Sequence, residues 1–586
     1  MLKQKNDSAS RFRSREFQVI LFLFFALWSY VIVRAFLVFY NFDEIFTKWN
    51  YVIDWNALPH SGTIDANNHF LMSFLGGLFI RLFQSEEMFI VRLGSVLAFP
   101  IYFWSVYRLK NFFTHEWNFY ACLIAFTTAC FLLEFFSMAR GYGLSMAFLL
   151  FALQQTMHYF KNNQKRAFYW ALFGWLMTMS ASLTILPMVA VAIIHLSVCV
   201  VKRKFYLGLL WIAILCVPLW YYIDYSFVLK DLGKFYYGGT HGFFESTVHS
   251  LTWFLWKITN VWVDIVVFIA GSFIFSLSIW RFLKKRDFFD AKLVFTIFLF
   301  ASVGSILAQH WILDVNYPTD RTAITLIAFF FGGLFFALDE VRFGKWIGIS
   351  TIGCSLILFF FSANFSHSKL FIYEHLDHEL VEIIPTDVKG TPPTTAGRSN
   401  LENELNRSLD LPFRAFQEIN QTYDTLTDYA ILFADTRPDL MKMYDIVHTD
   451  EISSKSLLKR KRFLNRNKTF ENSTTLRDSS EFHTMLKQDL EGPVLLRLTG
   501  HLGEIAKEND VLIVFTSEDS LTKQIHTWES FSLIENTKEE NGIFKFDFSY
   551  AMNALEGANS FATYLWHKNP CEIQGEIKVQ VYRLEE

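Results

Sequence analysis

The sequence predicts a polytopic α-helical membrane domain followed by a β-rich extracytoplasmic domain. Three observations lead there. Hydrophobic residues make up 52% of the 586 and mean hydropathy is +0.25, yet the apolarity is crowded before position 365 and falls away from Ser366. The first stretch, which holds most of the 66 Phe, contains repeated runs of about twenty apolar residues, the length that crosses a hydrocarbon core. Basic clusters recur between these runs, as loops on the cytoplasmic side of a membrane do.

The clusters stand at 11–15, 108–110, 161–166, 202–204, 281–286 and 342–345. Placing all of them in the cytoplasm requires two spans between successive clusters, about eleven helices in all. They fall near 17–40, 90–108, 118–136, 143–160, 167–182, 184–201, 205–223, 258–280, 291–310, 322–339 and 346–364, with the N-terminus inside and everything after 366 outside. The apolar segment 69–83 is left over. It is short for a span and carries Arg81, and counting it as one would turn every later basic cluster outward, so it is read as an interfacial or re-entrant helix. The N-terminal basic stretch precedes an apolar run with no small-residue cleavage site, which marks a retained span and not a signal peptide. The expected location is the plasma (inner) membrane.

Residues 1–365 therefore form the membrane domain, 366–490 a linker and mixed α/β extracytoplasmic region, and 491–586 a β-sandwich-like domain. Pro385, Pro392, Pro393, Gly390 and Gly397 make 385–410 read as a loop or linker, with an apolar strand following at 429–433. The basic run 455–466 reads as a solvated helix face in preference to a headgroup contact. Short strands at 494–498, 511–515, 543–550, 560–566 and 577–582 suggest a jelly-roll-like sandwich, suited to sugar binding or to a structural or acceptor-docking role. Five of the six Cys (122, 130, 199, 216, 354) lie in apolar segments and only Cys571 lies in the tail, so no disulfide framework is expected there. The sequons at Asn406, Asn420, Asn467 and Asn472 fall outside. A net charge of −3 gives no sign of a nucleic-acid partner.

The first outer loop carries the most chemistry. The first span ends in Asn41-Phe42-Asp43-Glu44, and a polar, aromatic stretch follows with Thr47, Lys48, Trp49, Asp65, Asn67, Asn68 and His69. A carboxylate where headgroup, water and low-dielectric protein meet can have its pKa tuned to act as a base. The same topology brings Arg140, the 224–250 loop and Asp320-Arg321 to that outer face. The order of acidic pair, Asp65-Ala66-Asn67-Asn68-His69-Phe70-Leu71, Glu86-Glu87 and Arg92-Leu93 resembles the GT-C superfamily of membrane glycosyltransferases. The branch it resembles contains the protein O-mannosyltransferases and the lipid A aminoarabinose transferases. Two further stretches fit, Ser137-Met138-Ala139-Arg140-Gly141-Tyr142-Gly143-Leu144 and Tyr317-Pro318-Thr319-Asp320-Arg321. The resemblance covers residues 15 to 340. It departs at Asn67-Asn68, where the family has Pro-Pro, and at Met138, where an acidic residue is usual.

The resemblance implies a GT-C fold and an inverting glycosyltransferase that takes a sugar from a polyprenyl-phosphate donor. The residues agree that a lipid-linked donor suits the setting. No cytoplasmic loop has room for a nucleotide-sugar domain, and no Gly-rich phosphate loop is present. Asp43 aligns with the family's catalytic acid and is the candidate base, while Glu44 could orient it, bind acceptor or help to hold a metal. Arg321 and Arg140 suit the donor phosphate, since guanidinium grips it as a fork, although Arg140 could instead anchor at the membrane boundary. Tyr317, Asp320, Asp65 and His69 complete the substrate-binding set. Asp65 and His69 could join Glu44 around an ion; no cofactor and no essential metal are expected, with a divalent ion left open. The Tyr236-Tyr237-Gly238-Gly239 stretch and His241 read as an ordinary outer loop, and Arg34 is expected to face the cavity or to snorkel. Expected partners are the donor lipid, a protein, lipid or glycan acceptor, and membrane lipids. The alternatives are a flippase or transporter for polyprenyl-linked sugar, and a sugar-binding membrane scaffold.

Overall fold

The computed structural model describes residues 2–412, 414–418, 425–478, 480–489, 492–503, 511–519, 521–533, 537, 539–540, 542–552, 560–567 and 573–586; Asn420 and Cys571 lie outside them. Two compact units emerge, Met1–Phe39 with Phe46–Leu370, and Tyr40–Ile45 with Phe371–Glu586.

The helices of the first unit run α1 (Leu2–Leu37), α2 (Phe42–Thr47, shared with the second unit), α3 (Phe70–Phe83), α4 (Met88–Arg108), α5 (Glu116–Thr127), α6 (Cys130–Glu134), α7 (Gly141–Asn162) and α8 (Lys165–Ala181). They continue as α9 (Leu186–Lys202), α10 (Leu207–Asp231), α11 (His249–Trp256), α12 (Val261–Lys285), α13 (Val294–Leu313), α14 (Ile324–Leu338) and α15 (Gly344–Ser362). Among the described residues, eight helical segments are long and apolar enough to cross a membrane, in α1, α4, α9, α10 and α12 to α15. The expected spans at 143–160 and 167–182 are helical as α7 and α8. The one expected at 118–136 is not continuous. Thr127 and Thr128 turn their hydroxyls back onto the carbonyls of Leu123 and Ile124, both at 2.8 Å, and the helix stops. Helix α3 has 14 residues, and at 1.5 Å per residue it reaches about 21 Å, short of a core of about 30 Å.

Local signals explain where elements begin. Pro187 stands in the first turn of α9, where its missing N–H costs nothing. The Asn260 side chain accepts from the amides of Trp262 and Val263 and caps α12. Helices α4, α7 and α8 pack around large fully buried side chains, Phe99, Tyr102, Tyr159 and Trp175. Helix α12 buries Ile274 alone and leaves the rest of its apolar surface outward, as a lipid-facing helix does. Arg34, near the end of α1, is fully buried and donates to Asn364 Oδ1 (3.0 Å) and to the carbonyl of His367 (3.0 Å), with Glu134 at 3.6 Å. It neither lines the cavity described below nor snorkels, because the chain after α15 folds back over it.

The second unit adds helices α16 (Glu379–Glu382) and α17 (Ser399–Ser408) to a mixed sheet of β1 (Thr395–Gly397), β2 (Phe416–Glu418), β3 (Tyr429–Leu432), β4 (Tyr444–Thr449) and β5 (Ser456–Arg460), in the order β2-β1-β3-β5-β4. Two expectations are corrected here. Residues 385–410 hold β1 and α17 as well as loop. The basic run 455–466 holds β5 and the start of β6, not a helix, because β5 pairs antiparallel with both β3 and β4, and sheet pairing overrides the helical look of Leu457-Leu458-Lys459-Arg460.

The remaining strands are β6 (Asn465–Asp478), β7 (Phe482–Asp489), β8 (Val494–Leu502), β9 (Val511–Glu518), β10 (Ile525–Ser532), β11 (Glu539–Glu540), β12 (Ile543–Met552), β13 (Ser560–His567) and β14 (Ile573–Glu585). They make two antiparallel sheets, β10-β9-β13-β7 and β11-β12-β8-β14-β6, which face one another across a shared core. Phe515 and Tyr550 stack there at 4.2 Å between ring centroids. All five expected strands are present. The sandwich also takes in β6 and β7, so its sheets begin at Asn465, before position 491. Gln417 of β2 exchanges two hydrogen bonds with the backbone of Ala551 and ties the mixed sheet to the sandwich.

Candidate active site

The loop between α1 and α3 is fixed from below by Arg92 of α4. Its buried guanidinium donates to the carbonyls of Ala35 (3.1 Å), in the last turn of α1, and of Val38 (2.6 Å) and Phe39 (3.3 Å), just beyond it. Asp65 then shapes the loop's far end. Its Oδ1 accepts from the Asn67 amide at 3.0 Å, an Asx turn, its carbonyl accepts from Tyr225 Oη, and Lys234 stands 3.3 Å from Oδ2. Asn67, so placed, accepts from Arg140 Nη2 at 2.9 Å, and Thr47 Oγ1 accepts from Nη1 at 3.2 Å. Arg140 is thus buried in the protein and is no lipid-boundary anchor.

Arg140 caps α7, and the glycine after it explains why the chain comes so close. A Cβ on Gly141 would lie 2.0 Å from the Ala181 carbonyl and 2.7 Å from His69 Cβ. That same carbonyl receives His69 Nδ1 at 3.1 Å. A carbonyl only accepts, so Nδ1 carries the proton and Nε2 is left as an acceptor. Burial, with the Arg140 charge and then the Arg321 charge, pushes the imidazole well below its ordinary pKa and keeps it neutral. Beside it, Asn68 Oδ1 accepts from Ser73 Oγ at 2.9 Å. His69 Nε2 and Asn68 Nδ2, an acceptor and a donor, are both buried and have no hydrogen-bond partner among the described residues.

Both residues line one cavity of about 400 Å³. Its polar end also has Lys230, Lys234, Tyr237 and Asn316, and its other walls are apolar, from Leu186 and Met188 of α9, Ile223 and Phe227 of α10, Ile306 of α13 and Leu326 of α14. Arg321 approaches this end on the segment after Pro318. The Thr319 side chain and Thr322 form a reciprocal cap, and Asp320 takes φ +35, an uncommon backbone for a residue with a side chain. The strain is held by three bonds: the Asp320 amide donates to Ser250 Oγ (2.8 Å), and its carboxylate accepts from the Tyr237 hydroxyl and from the Arg321 amide. Arg321 Nη1 donates to Tyr237 Oη at 3.0 Å, and the guanidinium lies 4.1 Å over the Tyr237 ring. Burial and the Asp320 charge push the Tyr237 phenol well up, so it stays protonated.

Tyr237 is therefore part of the site, against the expectation of an ordinary loop. Its neighbour Gly238 has φ +134, and a Cβ there would lie 2.6 Å from the Tyr317 carbonyl. Gly239 and Tyr317 exchange backbone hydrogen bonds at 2.9 Å, while the Tyr317 ring stacks on His310 at 4.0 Å. Tyr317 thus secures the loop that carries Tyr237. The structure brings together Asp65, His69, Arg140, Asp320 and Arg321 with two residues the sequence did not nominate, Asn68 and Tyr237. Asn68 had a signal, in the place of a family proline; Tyr237 had one in an aromatic pair before two glycines.

Asp43 and Glu44 belong to the second unit. Glu44 is fully buried and closes a capping box with Asn41: its amide donates to Asn41 Oδ1 (3.0 Å) and its Oε2 accepts from Asn41 Nδ2 (2.9 Å). Two residues back, Phe42 N donates to Glu374 Oε2 at 2.7 Å, and Arg398 reaches Glu374 at 3.3 Å. Burial raises the Glu374 carboxyl, against the pull of Phe42 N and Arg398, and the Asp43 charge adds to the rise. Asp43 and Glu374 are thus two carboxylates that sense each other, the arrangement that separates acid and base roles. Lys455 is buried nearby, lowered by burial while Glu402 and Glu374 oppose the shift. Neither Glu374 nor Lys455 was nominated from sequence, since each lies more than three hundred residues from Asp43. Among the described residues no three His, Cys, Asp or Glu side chains come together as a metal would require.

No family model matches the chain, and no curated protein matches it. Among solved structures it is similar to ArnT from Cupriavidus metallidurans in the apo state, at 10% identity and TM-score 0.45, over 76% of this chain and 98% of that one. The same protein bound to undecaprenyl phosphate gives 9% and 0.45 over the same shares. The arabinosyltransferase EmbB from Mycobacterium smegmatis gives 9% and 0.35, over 96% of this chain and 64% of that one.

Proposed function

We propose that this protein is an inverting glycosyltransferase that moves a sugar from a polyprenyl-phosphate donor to an acceptor at the outer face of the membrane. One observation carries the reading: a cavity whose apolar walls come from spanning helices ends in His69 Nε2 and Asn68 Nδ2, both buried and unpartnered among the described residues, beside Lys230, Lys234 and Tyr237. A lipid chain with a phosphorylated sugar at its head has that polarity. Buried polar atoms are nearly always hydrogen-bonded, so an acceptor and a donor left open on one wall suit sugar hydroxyls. Arg321 and the lysines suit the phosphate, and their attraction strengthens as charge builds on it.

In the reaction the acceptor oxygen or nitrogen attacks the anomeric carbon as the bond from that carbon to the phosphate oxygen breaks. The bonding electrons leave with the polyprenyl phosphate, the acceptor proton passes to Asp43, and a single displacement inverts the anomeric centre. Glu374, whose carboxyl burial and the neighbouring Asp43 charge push above the ordinary carboxylate value, suits the acid role beside that base. The acceptor is a hydroxyl or amine on protein, lipid or envelope glycan.

The test is turnover in lipid nanodiscs with a polyprenyl-phosphate sugar labelled in the sugar. Release of unlabelled polyprenyl phosphate together with a labelled acceptor is the expected result; label that crosses the membrane with the donor intact would instead establish a flippase. Asp43→Asn should lower turnover about 10²–10⁴-fold with donor affinity nearly unchanged. A variant that keeps more than roughly a third of wild-type turnover would remove Asp43 from the base role.

A further inference from the structure

At the opposite end of α7 from Arg140 lies a second cavity, of about 760 Å³, that glycosyl transfer does not use. Arg140 precedes the first residue of α7 and the cavity is lined from that helix by Phe148, Phe151, Gln154, Gln155 and His158; at 1.5 Å per residue these stand about 12–27 Å along the helix from Arg140. Arg108 ends α4 and Arg166 lies in the first turn of α8, and both line this space, as do Trp104 and Trp170. Among the described residues no carboxylate lines it. Gln154, only 1% exposed, points in from α7; its Oε1 accepts from Gln155 Nε2 at 3.0 Å, while its own Nε2 has no partner among the described residues. A bare amide inside a membrane helix is costly and marks a polar ligand.

We propose that this cavity holds the headgroup phosphate of an anionic phospholipid from the leaflet at that face. The basic clusters at 108–110 and 161–166 make that leaflet the cytoplasmic one, and only this sidedness rests on the topology read from charge. Arg108 and Arg166 grip phosphate oxygens as forks, Gln154 Nε2 donates a third bond from below, and Trp104 with Trp170 flank the glycerol region where indole rings sit best. The two cations with no balancing carboxylate favour an anionic lipid over a zwitterionic one. The spent polyprenyl phosphate shares the headgroup chemistry, and competition separates the two sources.

The experiment is native mass spectrometry of the full chain released from nanodiscs of phosphatidylglycerol and phosphatidylcholine. Wild-type protein should retain phosphatidylglycerol preferentially. The double variant Arg108→Gln/Arg166→Gln should weaken that retention roughly thirtyfold, at about a kilocalorie per basic residue near a charged headgroup. Gln154→Leu leaves the surface charge as it is and removes a buried open amide, so it should fold at least as well as wild type and still lose about fivefold in retention. Equal retention of the two lipids by wild type, or unchanged phosphatidylglycerol retention in both variants, overturns the proposal. Displacement of phosphatidylglycerol by an equimolar polyprenyl phosphate overturns the phospholipid assignment and makes the carrier the occupant.

Discussion

The two ends of the helical unit treat buried polar groups in opposite ways. Where α12, α13 and α14 meet the segment before α5, every charge is answered. Lys292 Nζ lies 2.6 Å from Asp339 and 2.8 Å from Glu340, Arg281 pairs with Asp290 and Glu340, and Lys285 stands 3.0 Å from Asp290. Asp339 also receives the amides of Thr114 and His115 at 2.8 Å. Around the 400 Å³ cavity, by contrast, His69 Nε2 and Asn68 Nδ2 are left open among the described residues, and Asp320 is strained. An open buried polar group costs about 1–3 kcal/mol. A fold that closes its buried polar groups at one end and leaves two of them open at the other is stabilised at the first and shaped for a ligand at the second.

The largest expected effect breaks the closed end. Asp339→Ala leaves the amides of Thr114 and His115 without their acceptor and takes one of two carboxylates from Lys292, whose Nζ keeps Glu340 at 2.8 Å, and breaking a buried pair costs about 3–5 kcal/mol. The folded yield and the denaturation midpoint in detergent should fall sharply, while the surviving protein binds donor as before; a normal midpoint would mean that the cluster is solvated. Burial pushes the Asp339 carboxyl up, but Lys292 and the two amides outweigh it and hold the group below its ordinary value. A lowered folded pKa gives stability that is full above the unfolded value, near 3.9, and lost as pH falls through the folded one. The variant should therefore lose the part of the acid sensitivity that lies below about pH 4.

Next in size is Arg321→Lys, which keeps the charge and loses the fork. It should lower kcat/KM by one to two orders of magnitude, on the order of 1.4–3 kcal/mol, with stability nearly unchanged. A normal kcat/KM would move the phosphate site to Arg140 or the lysines. His69→Leu should separate stability from binding. Removing the open Nε2 offsets the loss of the Nδ1 bond to the Ala181 carbonyl, so stability should stay within roughly 1 kcal/mol of wild type, while donor affinity falls about tenfold. Because the imidazole is held neutral, wild-type stability from this residue is full above pH 6.5 and declines as pH falls below it, and the variant should lack that decline. A variant that is destabilised and yet binds donor normally would make His69 a packing residue.

The charge alternation and apolar runs carried most of the helical unit, and the five strands of the tail were legible from β-branched and aromatic runs. What the sequence hid was pairing over distance. The break after Thr128 needs two hydroxyls turned back on their own helix, and the strand at 456–460 needs β3 and β4 on either side, so neither shows in a local window. Asp65, His69, Arg140 and Arg321 could be nominated because charge and motif mark them singly. Glu374 could not, since it answers Phe42 and Asp43 from 332 positions away from Phe42. Glu44 could be nominated for its place beside Asp43, but not its bond to the Asn41 side chain, which only the folded turn shows.

The smallest expected effect concerns how the open end holds its phosphate ligand ready. Arg321 and Asp320 are 3.9 Å apart, too far for a hydrogen bond, and the Tyr237 hydroxyl stands between them, donating to the carboxylate and accepting from Nη1. Tyr237→Phe keeps the ring 4.1 Å beneath the guanidinium and removes only this relay. The cation–π attraction survives, so Arg321 stays near the cavity but loses its fixed rotation, and a neutral-phenol bond of this kind contributes about 1 kcal/mol. We expect kcat/KM to fall about fivefold, mostly in kcat, because orientation matters more as charge builds on the phosphate. Since the phenol stays protonated, the loss should be the same from pH 6 to 9. Asp320→Asn should couple to it: the double variant should lose no more than about half a kilocalorie beyond the larger single loss, as groups in one relay do. Fully additive losses would mean that Asp320 and Tyr237 act separately, and a Tyr237→Phe loss as deep as that of Arg321→Ala would mean that the hydroxyl itself touches the substrate.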